Sequence, residues 1–551
     1  MLSNSARRDD ATNCQLILPA VETREQPGEA LDPGATRGRM LRLALAGVLS
    51  LGFLSRFQFR LEVVRGVDVY YHLAVAREML ASGPLQSFPW TPYSLFAEHF
   101  ADKEFLFHVL LMPLAGLDVV SAGQLGALLA QVAVVAVFAA ILWQWRAPLA
   151  PALLLGLCAI GPPLAVRLSM CRPHTWTLAF SLLVLALLAA RRPRLGALFV
   201  CACLHGLFHS GGWLSVAFAG LFAATALLGL EGRKPHLDWK PVAATAAGWL
   251  LGQLLHPNFP ANFEVLWLQN VVVPLTAGSA GGSALSAALG AELMPSSGAV
   301  VLANLPALAL LTATGLALIY RPALRDRRSL TAWLAAAIFT ALAVFVMRRM
   351  WELAGPLSLL CAAALLARAT TQFETSRLRS RGLQLGLAAV ILLGATNTQH
   401  HASLWITDTE PPVAMSRWLN RNAEAGDFVY SAQWGDSAPL LWFAPKLRSL
   451  VALDPTFLYA QDPDRFLAYA ATVTGDDPDP IGTILDRFEA RWLTIWRVPV
   501  FDSLSEAAAG DSRSTLVFQD PDYLVYELSG GEAGGEAGGG TPAGTKPRPA
   551  N

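Results

Sequence analysis

Charge is what this chain has least of. Only 15% of its 551 residues are Asp, Glu, Lys or Arg, while 54% are hydrophobic. A soluble protein carries about 25% charged residues, so an ordinary soluble domain of this length is excluded. The charge that is present balances, 41 basic against 41 acidic, and no net field draws the chain toward nucleic acid or acidic partners. Cysteine is scarce too. The six are Cys14, Cys158, Cys171, Cys201, Cys203 and Cys361. Five lie in or beside apolar runs, none in the polar C-terminal region, and no pair has CxxC spacing. That excludes a disulfide framework and a thiolate zinc site. There is no Walker loop, no dinucleotide fingerprint and no internal repeat.

What is present is one apolar run after another, many of about 17–24 residues, the length that crosses a bilayer. The candidate spans are 40–54, 120–143, 150–166, 174–190, 195–210, 212–230, 241–256, 299–320, 329–347, 351–368 and 383–397. Basic clusters fall between them at Arg191/Arg192/Arg194, Arg233/Lys234/Lys240, Arg321/Arg325/Arg327/Arg328 and Arg377/Arg379/Arg381. An even number of spans separates neighbouring clusters, so all four share one side, the cytoplasmic one. Arg37, Arg39 and Arg42 place the N-terminus there as well. Phe105–Leu117 (FLFHVLLMPLAGL) is too short to cross unaided. The same parity makes it an interfacial helix, with His108 toward the polar side.

The expected fold is therefore mainly α: a polytopic membrane protein of about 11 spans, with 13 as the other count of the same polarity. Residues 1–39 read as a disordered cytoplasmic tail, too long and too mixed in charge for a signal-peptide n-region. Residues 40–401 form the transmembrane domain, with long outer loops at 57–119 and 257–298. Residues 402–528 are richer in charge and carry strand-like runs at Phe428–Ser431, Trp492–Trp496, Thr515–Phe518 and Tyr523–Glu527. With helical stretches at Pro412–Arg421 and Asp464–Thr472, they predict a small extracytoplasmic α/β domain. Residues 529–551, mostly Gly, Ala, Glu and Pro, cannot make a core and read as a disordered tail.

Topology then collects the polar residues at the outer ends of the spans. The first loop, Gly66 to Glu104, supplies Asp68, His72, Asp102 and Glu104. Arg167, Arg172 and His174 lie between two spans; His205, His209 and Ser210 lie at a tight outer turn, the two histidines four apart on one helix face. His256, Asn258, Asn262 and Glu292 belong to the second long loop, and Arg348, Arg349 and Glu352 to the next outer hairpin. Glu78 and Glu98 read as solvated loop residues. Ionisable groups at membrane depth are costly and mark function. Carboxylates with imidazoles offer a divalent-metal site or a general base. Arginines nearby would grip phosphate with two parallel hydrogen bonds. Without nucleotide outside the membrane, an activated lipid-linked donor arriving from the bilayer fits this collection.

The order of motifs resembles the GT-C superfamily of polytopic glycosyltransferases. The resemblance rests on GVDVYYHLA after the first span, DKEFLFHVLLMPL, the RPH corner, LHGLFHSGG, HPNFPANF, RRMWE and the C-terminal QWGDSAPLLWFAP and VALDPTFLYAQDPDRF. It covers most of residues 40–528 and looks closest to the oligosaccharyltransferase-like and protein O-mannosyltransferase-like branch. It implies that Asp68 is the key first-loop carboxylate, a metal ligand in some members and the acceptor's base in others, assisted by Asp102 or Glu104. It implies donor-phosphate binding by Arg172, Arg348 and Arg349. His72, His174, His205, His209 and Glu292 become metal or substrate candidates, and Trp434 with Asp436 the acceptor side. The implied cofactor is a divalent metal, Mn or Mg. Two departures stand out. Oligosaccharyltransferases carry an acidic pair where this chain has Arg172, Pro173 and His174, and a tryptophan-rich motif where it has only Gln433, Trp434, Gly435 and Asp436.

The expected activity is transfer of a sugar from a polyprenyl-phosphate or pyrophosphate carrier to an extracytoplasmic lipid, glycan or protein, with inversion. The partners are that donor, membrane lipids and the acceptor, not nucleic acid. The expected location is the inner membrane of a bacterium, from Arg/Ala/Gly-rich composition. A transporter of lipid-linked glycans would instead show inverted repeats and midplane charges. A non-catalytic, glycan-binding envelope scaffold would leave Asp68 dispensable.

Overall fold

The computed structural model describes residues 33–190, 193–230, 234–275, 291–372, 381–405 and 411–529. The tails 1–32 and 530–551, and Arg191, Arg192, Arg233, Arg377 and Arg379 of the basic clusters, lie outside the described residues. By its contacts the chain divides into Met1–Arg42 and Leu43–Asn551. Of the first unit, the described part is the start of a helix, α1 (Pro33–Phe59). That helix begins inside the stretch expected to be disordered, with Pro33 as its first residue, where the missing N–H costs nothing.

The segment that follows holds α2 (Asp68–Ser82) and α3 (Phe105–Leu111). The bundle continues with α4 (Val119–Gln144), α5 (Ala150–Leu155), α6 (Pro162–Leu168), α7 (Pro173–Leu188), α8 (Leu195–Phe208), α9 (Leu214–Ala226) and α10 (Lys240–Leu254). After α11 (Ala261–Trp267) come α12 (Gly298–Ala303), α13 (Leu305–Tyr320), α14 (Arg327–Phe345), α15 (Trp351–Gln372) and α16 (Arg381–Trp405). Every expected span overlaps helix, although 150–166 is broken at residues 159–161 and 299–320 at Asn304. Four described helices are long and apolar enough to cross a membrane, or five if the pair α5 and α6, bent by 79°, is one span. The others are shorter: α8, with 14 residues, rises only about 21 Å against a hydrocarbon core of about 30 Å.

The exterior explains itself in lipid. Leu45, Val48 and Leu49 on α1, Leu125, Leu129 and Val132 on α4, and Leu385, Val390, Leu392 and Leu393 on α16 are all exposed. Apolar exposure on this scale would aggregate a water-borne protein, so this is a multi-pass membrane protein. Within the bundle, α10 and α8 approach through Gly248 and Gly252 of GWLLG. A Cβ at these positions would stand 2.1 Å from the Phe199 carbonyl oxygen and 2.5 Å from that of Cys203. This is the small-residue spacing that lets membrane helices touch backbone to backbone.

The C-terminal region has α17 (Val413–Asn422), α18 (Ser437–Phe443), α19 (Thr456–Gln461), α20 (Pro463–Thr474), α21 (Pro480–Phe488) and α22 (Asp502–Gly510). Its strands are β1 (Phe428–Ser431), β2 (Arg448–Ser449), β3 (Trp492–Trp496), β4 (Ser514–Gln519) and β5 (Tyr523–Leu528). They form one sheet in the order β2-β1-β3-β5-β4, parallel on the β2-β1-β3 side and antiparallel on the other.

This region shares a core with the segment between α1 and α4. The rings of Phe96 and Phe457 meet at a tilt of 31° with centroids 4.3 Å apart. Trp90 donates through Nε1 to the Pro445 carbonyl at 2.7 Å, and the Ser449 N–H donates to the Trp90 carbonyl at 2.7 Å. The helix expected at the interface, α3, packs on α2 and α8. Its His108 does not face a polar exterior: it is fully buried and meets a polar cluster inside.

Candidate active site

The chain enters α2 through a sharp turn at Gly66, whose φ of +79° suits glycine and few other residues. Asp68 is the first residue of α2, where the helix dipole favours its charge. Across from it, Pro173 opens α7 and forces Arg172 into an extended backbone, φ −138° and ψ 148°. Thr175 fastens this corner by donating to the Arg172 carbonyl at 2.6 Å. The result is an ion pair, Arg172 Nη2 to Asp68 Oδ2 at 2.9 Å.

The other face of the same guanidinium meets the second long loop. Arg172 Nη1 lies 3.2 Å from Glu292 Oε2, and Glu292 also takes a hydrogen bond from Arg167 at the end of α6. Arg167 reaches on to Glu352 Oε1 at 3.1 Å, and Glu352 Oε2 lies 3.5 Å from His174 Nε2. Four segments distant in sequence thus supply one chain of charge, Asp68, Arg172, Glu292, Arg167 and Glu352, with the His174 imidazole beside its end. The corner is closed by backbone pairing: the Arg348 N–H donates to the Met294 carbonyl at 2.8 Å, and Trp351 Nε1 to Ser296 Oγ at 3.0 Å. Arg348 and Arg349 make no side-chain hydrogen bond or ion pair among the described residues. Arg349 lies within electrostatic reach of Glu292.

Burial raises the Asp68 carboxyl above its ordinary 3.8; Arg172 pulls it back and Glu292 adds to the rise. Burial also opposes ionisation of Glu292, but Arg167, Arg172 and Arg349 overcome it and hold Glu292 well below the usual carboxylate range.

Asp102 and Glu104 do not join Asp68. They stand in a second buried cluster with His72 and His108, and no hydrogen bond or ion pair links the two clusters among the described residues. His72 Nδ1 is 2.9 Å from His108 Nε2, and His108 Nδ1 donates to Asp102 Oδ2 at 2.8 Å. Glu104 lies 3.5 Å from Lys103 Nζ. Burial pushes the His72 imidazolium well down and the Glu104 carboxyl up.

Three more candidates stand apart from the Asp68 corner. His205 bonds Ser215 Oγ at 2.8 Å and stacks on Phe180, tying helices together. His209 does not share its helix face: α8 ends at Phe208, and His209 is extended, φ −161° and ψ 146°. Its Nδ1 accepts from Gly211 N–H at 3.1 Å and meets Thr177 Oγ1 at 2.8 Å, holding the turn. Asp436 points into the C-terminal core, accepting from Tyr523 at 3.0 Å; burial pushes its carboxyl up to about 8. Its neighbour Gly435 lies nearer the corner, since a Cβ there would stand 3.6 Å from Val67, the residue before Asp68.

No family model matches the sequence, and no curated protein matches it. Solved structures do. The Archaeoglobus fulgidus oligosaccharyltransferase in its apo form superposes with a TM-score of 0.55 at 12% identity, over 82% of this chain and 69% of that one. The chain has the GT-C fold. Arabinofuranosyltransferase AftD from Mycobacteria superposes with a TM-score of 0.51 at 15% identity over 89% of this chain, which spans 40% of AftD's length.

The GT-C resemblance implies a divalent ion at the first-loop carboxylate, and the Asp68 corner does not fit one. Asp68 and Glu292, the carboxylates that would hold it, are engaged by Arg172 and Arg167. A dication there would stand against two guanidinium groups. Sequence reasoning had named Arg167 and Glu352 as outer residues without giving them a role. His108, expected on the polar side of an interfacial helix, was not among the site candidates, although two i,i+4 pairs, Asp68 with His72 and Glu104 with His108, stand in the sequence.

Proposed function

We propose that this chain is a membrane glycosyltransferase. It takes a sugar from a polyprenyl-phosphate or pyrophosphate carrier and passes it to an acceptor outside the cytoplasmic membrane. The observation that carries this reading is the pairing of Asp68 with Arg172 beside Glu292, Arg167 and the uncommitted Arg348 and Arg349. A base and a phosphate-binding set sit together at the mouth of an apolar bundle, where a lipid-borne phosphate would arrive laterally.

In this reading Asp68 is the general base. The acceptor's hydroxyl or amide gives its proton to a carboxylate oxygen of Asp68 as its heavy atom attacks the anomeric carbon. The bond from that carbon to the carrier phosphate breaks on the opposite side, so configuration inverts. Negative charge grows on the departing phosphate, and Arg348, Arg349 and Arg172 stabilise it there more than in the bound donor. Glu292 holds the place of that phosphate between Arg167 and Arg172 until the donor displaces it. Mn or Mg has no role at Asp68 in this scheme.

Asp68→Asn tests it. With normal expression, transfer from a polyprenyl-linked sugar should fall about 10²–10⁴-fold, the usual worth of a positioned base. In the wild type, activity should fall as pH drops through the Asp68 value, which lies above the ordinary 3.8, because a protonated carboxyl cannot accept the proton. Transfer at the wild-type rate by the Asn variant would sink the assignment.

A further inference from the structure

The cluster beneath Asp68 is built like a metal site. One ligand atom each from His72, Glu104 and His108 lies within 4.8 Å of the others. All three side chains are buried, Glu104 with 3% exposure. Glu104 is the N-cap residue of α3, but its side chain makes no capping hydrogen bond. One oxygen faces Lys103, while Oε2 is buried with no hydrogen-bond partner. An orphaned carboxylate oxygen beside two imidazoles has an obvious complement in a cation.

The surroundings are prepared to match. His108 Nδ1 donates to Asp102 Oδ2 at 2.8 Å, which leaves the Nε2 lone pair aimed at the cluster. A carboxylate behind an imidazole is the arrangement that orients metal-bound histidines and raises their basicity. Asp102 is itself fixed: its N–H donates to Asn258 Oδ1 at 3.1 Å, and its carbonyl accepts from His256 Nε2 at 2.8 Å. The facing nitrogens, His72 Nδ1 and His108 Nε2, are 2.9 Å apart. On a tetrahedral ion, with bonds of about 2.0–2.1 Å, two nitrogens stand ~3.3 Å apart. A few tenths of an ångström of opening, and a move of the His72 proton from Nδ1 to Nε2, present both lone pairs with no net loss of a proton.

We propose that His72, Glu104 and His108 bind one divalent ion of the zinc class, with Asp102 orienting His108. Two nitrogens and one oxygen suit zinc and its first-row neighbours, whereas magnesium demands oxygen ligands in an octahedron. A water or the second Glu104 oxygen completes four-coordination. The ion joins α2 to the start of α3. His72 is one helical turn below Asp68 on the same face of α2, so the ion positions the helix that presents Asp68 rather than touching the reacting atoms.

The test uses the full chain purified in detergent without a histidine tag. Elemental analysis after exhaustive dialysis should find about one zinc per chain. His108→Ala and Glu104→Gln should lose it, and Asp102→Asn should weaken zinc affinity about 10–100-fold. Asp68→Asn should keep the metal while losing transfer, which separates this site from the proposed function. Should His108→Ala fail to fold, wild-type protein stripped with dipicolinate and refilled with Co²⁺ gives the same answer through the intense visible absorption of a tetrahedral ion. Zinc should likewise restore the thermal stability lost on stripping. Wild-type protein without stoichiometric metal, giving no cobalt spectrum and no stabilisation by zinc, overturns the proposal. So does zinc that survives both His108→Ala and Glu104→Gln.

Discussion

Arg172 is shared between Asp68 and Glu292, and sharing of this kind depends on the shape of the guanidinium as well as its charge. Its Nη2 serves one carboxylate and its Nη1 the other. An ammonium is a point charge that cannot reach both in one fixed geometry. Arg172→Lys should therefore keep the corner's net charge and lose a charge-assisted contact worth about 1.5–3 kcal/mol, read as a rise of ~10-fold or more in donor KM. A donor titration giving an unchanged KM would remove Arg172 from the phosphate set. Asp68, Arg172 and Glu292, which the structure brings together, each stand among the candidates because expected span parity gathers polar residues at one end of the spans. Their partners were not legible, since Asp68–Arg172 and Arg172–Glu292 join positions more than a hundred residues apart. Pattern along a chain does not report contact across that distance.

Elements that follow a period were legible; elements that break one were not. The four longer strands and the helices at 413–422 and 463–474 come close to where alternation and amphipathic spacing put them. The two-residue β2 has no pattern to read. His209 followed His205 at helical spacing, yet the helix stops one residue earlier because the SGG turn needs its imidazole as an acceptor. The WGD turn is the other surprise. Asp436 was expected to face an acceptor and is instead a buried carboxyl held by Tyr523. Its value of about 8 in the fold exceeds the ordinary 3.8, so the protonated form favours the folded state. That contribution is complete below about pH 4, fades as pH rises and is gone once pH passes the folded value. Asp436→Asn mimics the protonated group at every pH. In detergent, its thermal unfolding should be flatter than wild type between these limits and higher at the alkaline end. Parallel curves for the two proteins would show that Asp436 is not the group that titrates.

At the scale of the whole molecule, two facts meet: the apolar exterior demands a bilayer, and the segment between α1 and α4 shares one core with the C-terminal sheet. Segments that share a core lie on one side of the membrane. If Asp68 is outside, the whole sheet region is outside as well, and the basic turn between α13 and α14 is inside. Span parity pointed this way from the sequence, although several helices are too short to have been counted by length. Side can be read directly, because the described cysteines are buried or half-buried in the bundle and give little background. Cysteine placed at the exposed Ala509 or at the exposed Arg321 should then behave oppositely toward a membrane-impermeant maleimide applied to intact cells. Ala509→Cys should be labelled at once, and Arg321→Cys only after the membrane is opened. The reverse pattern would put the Asp68 corner on the nucleotide side. The case for an already activated, lipid-linked donor would then lose its premise, because soluble nucleotide sugars would be at hand.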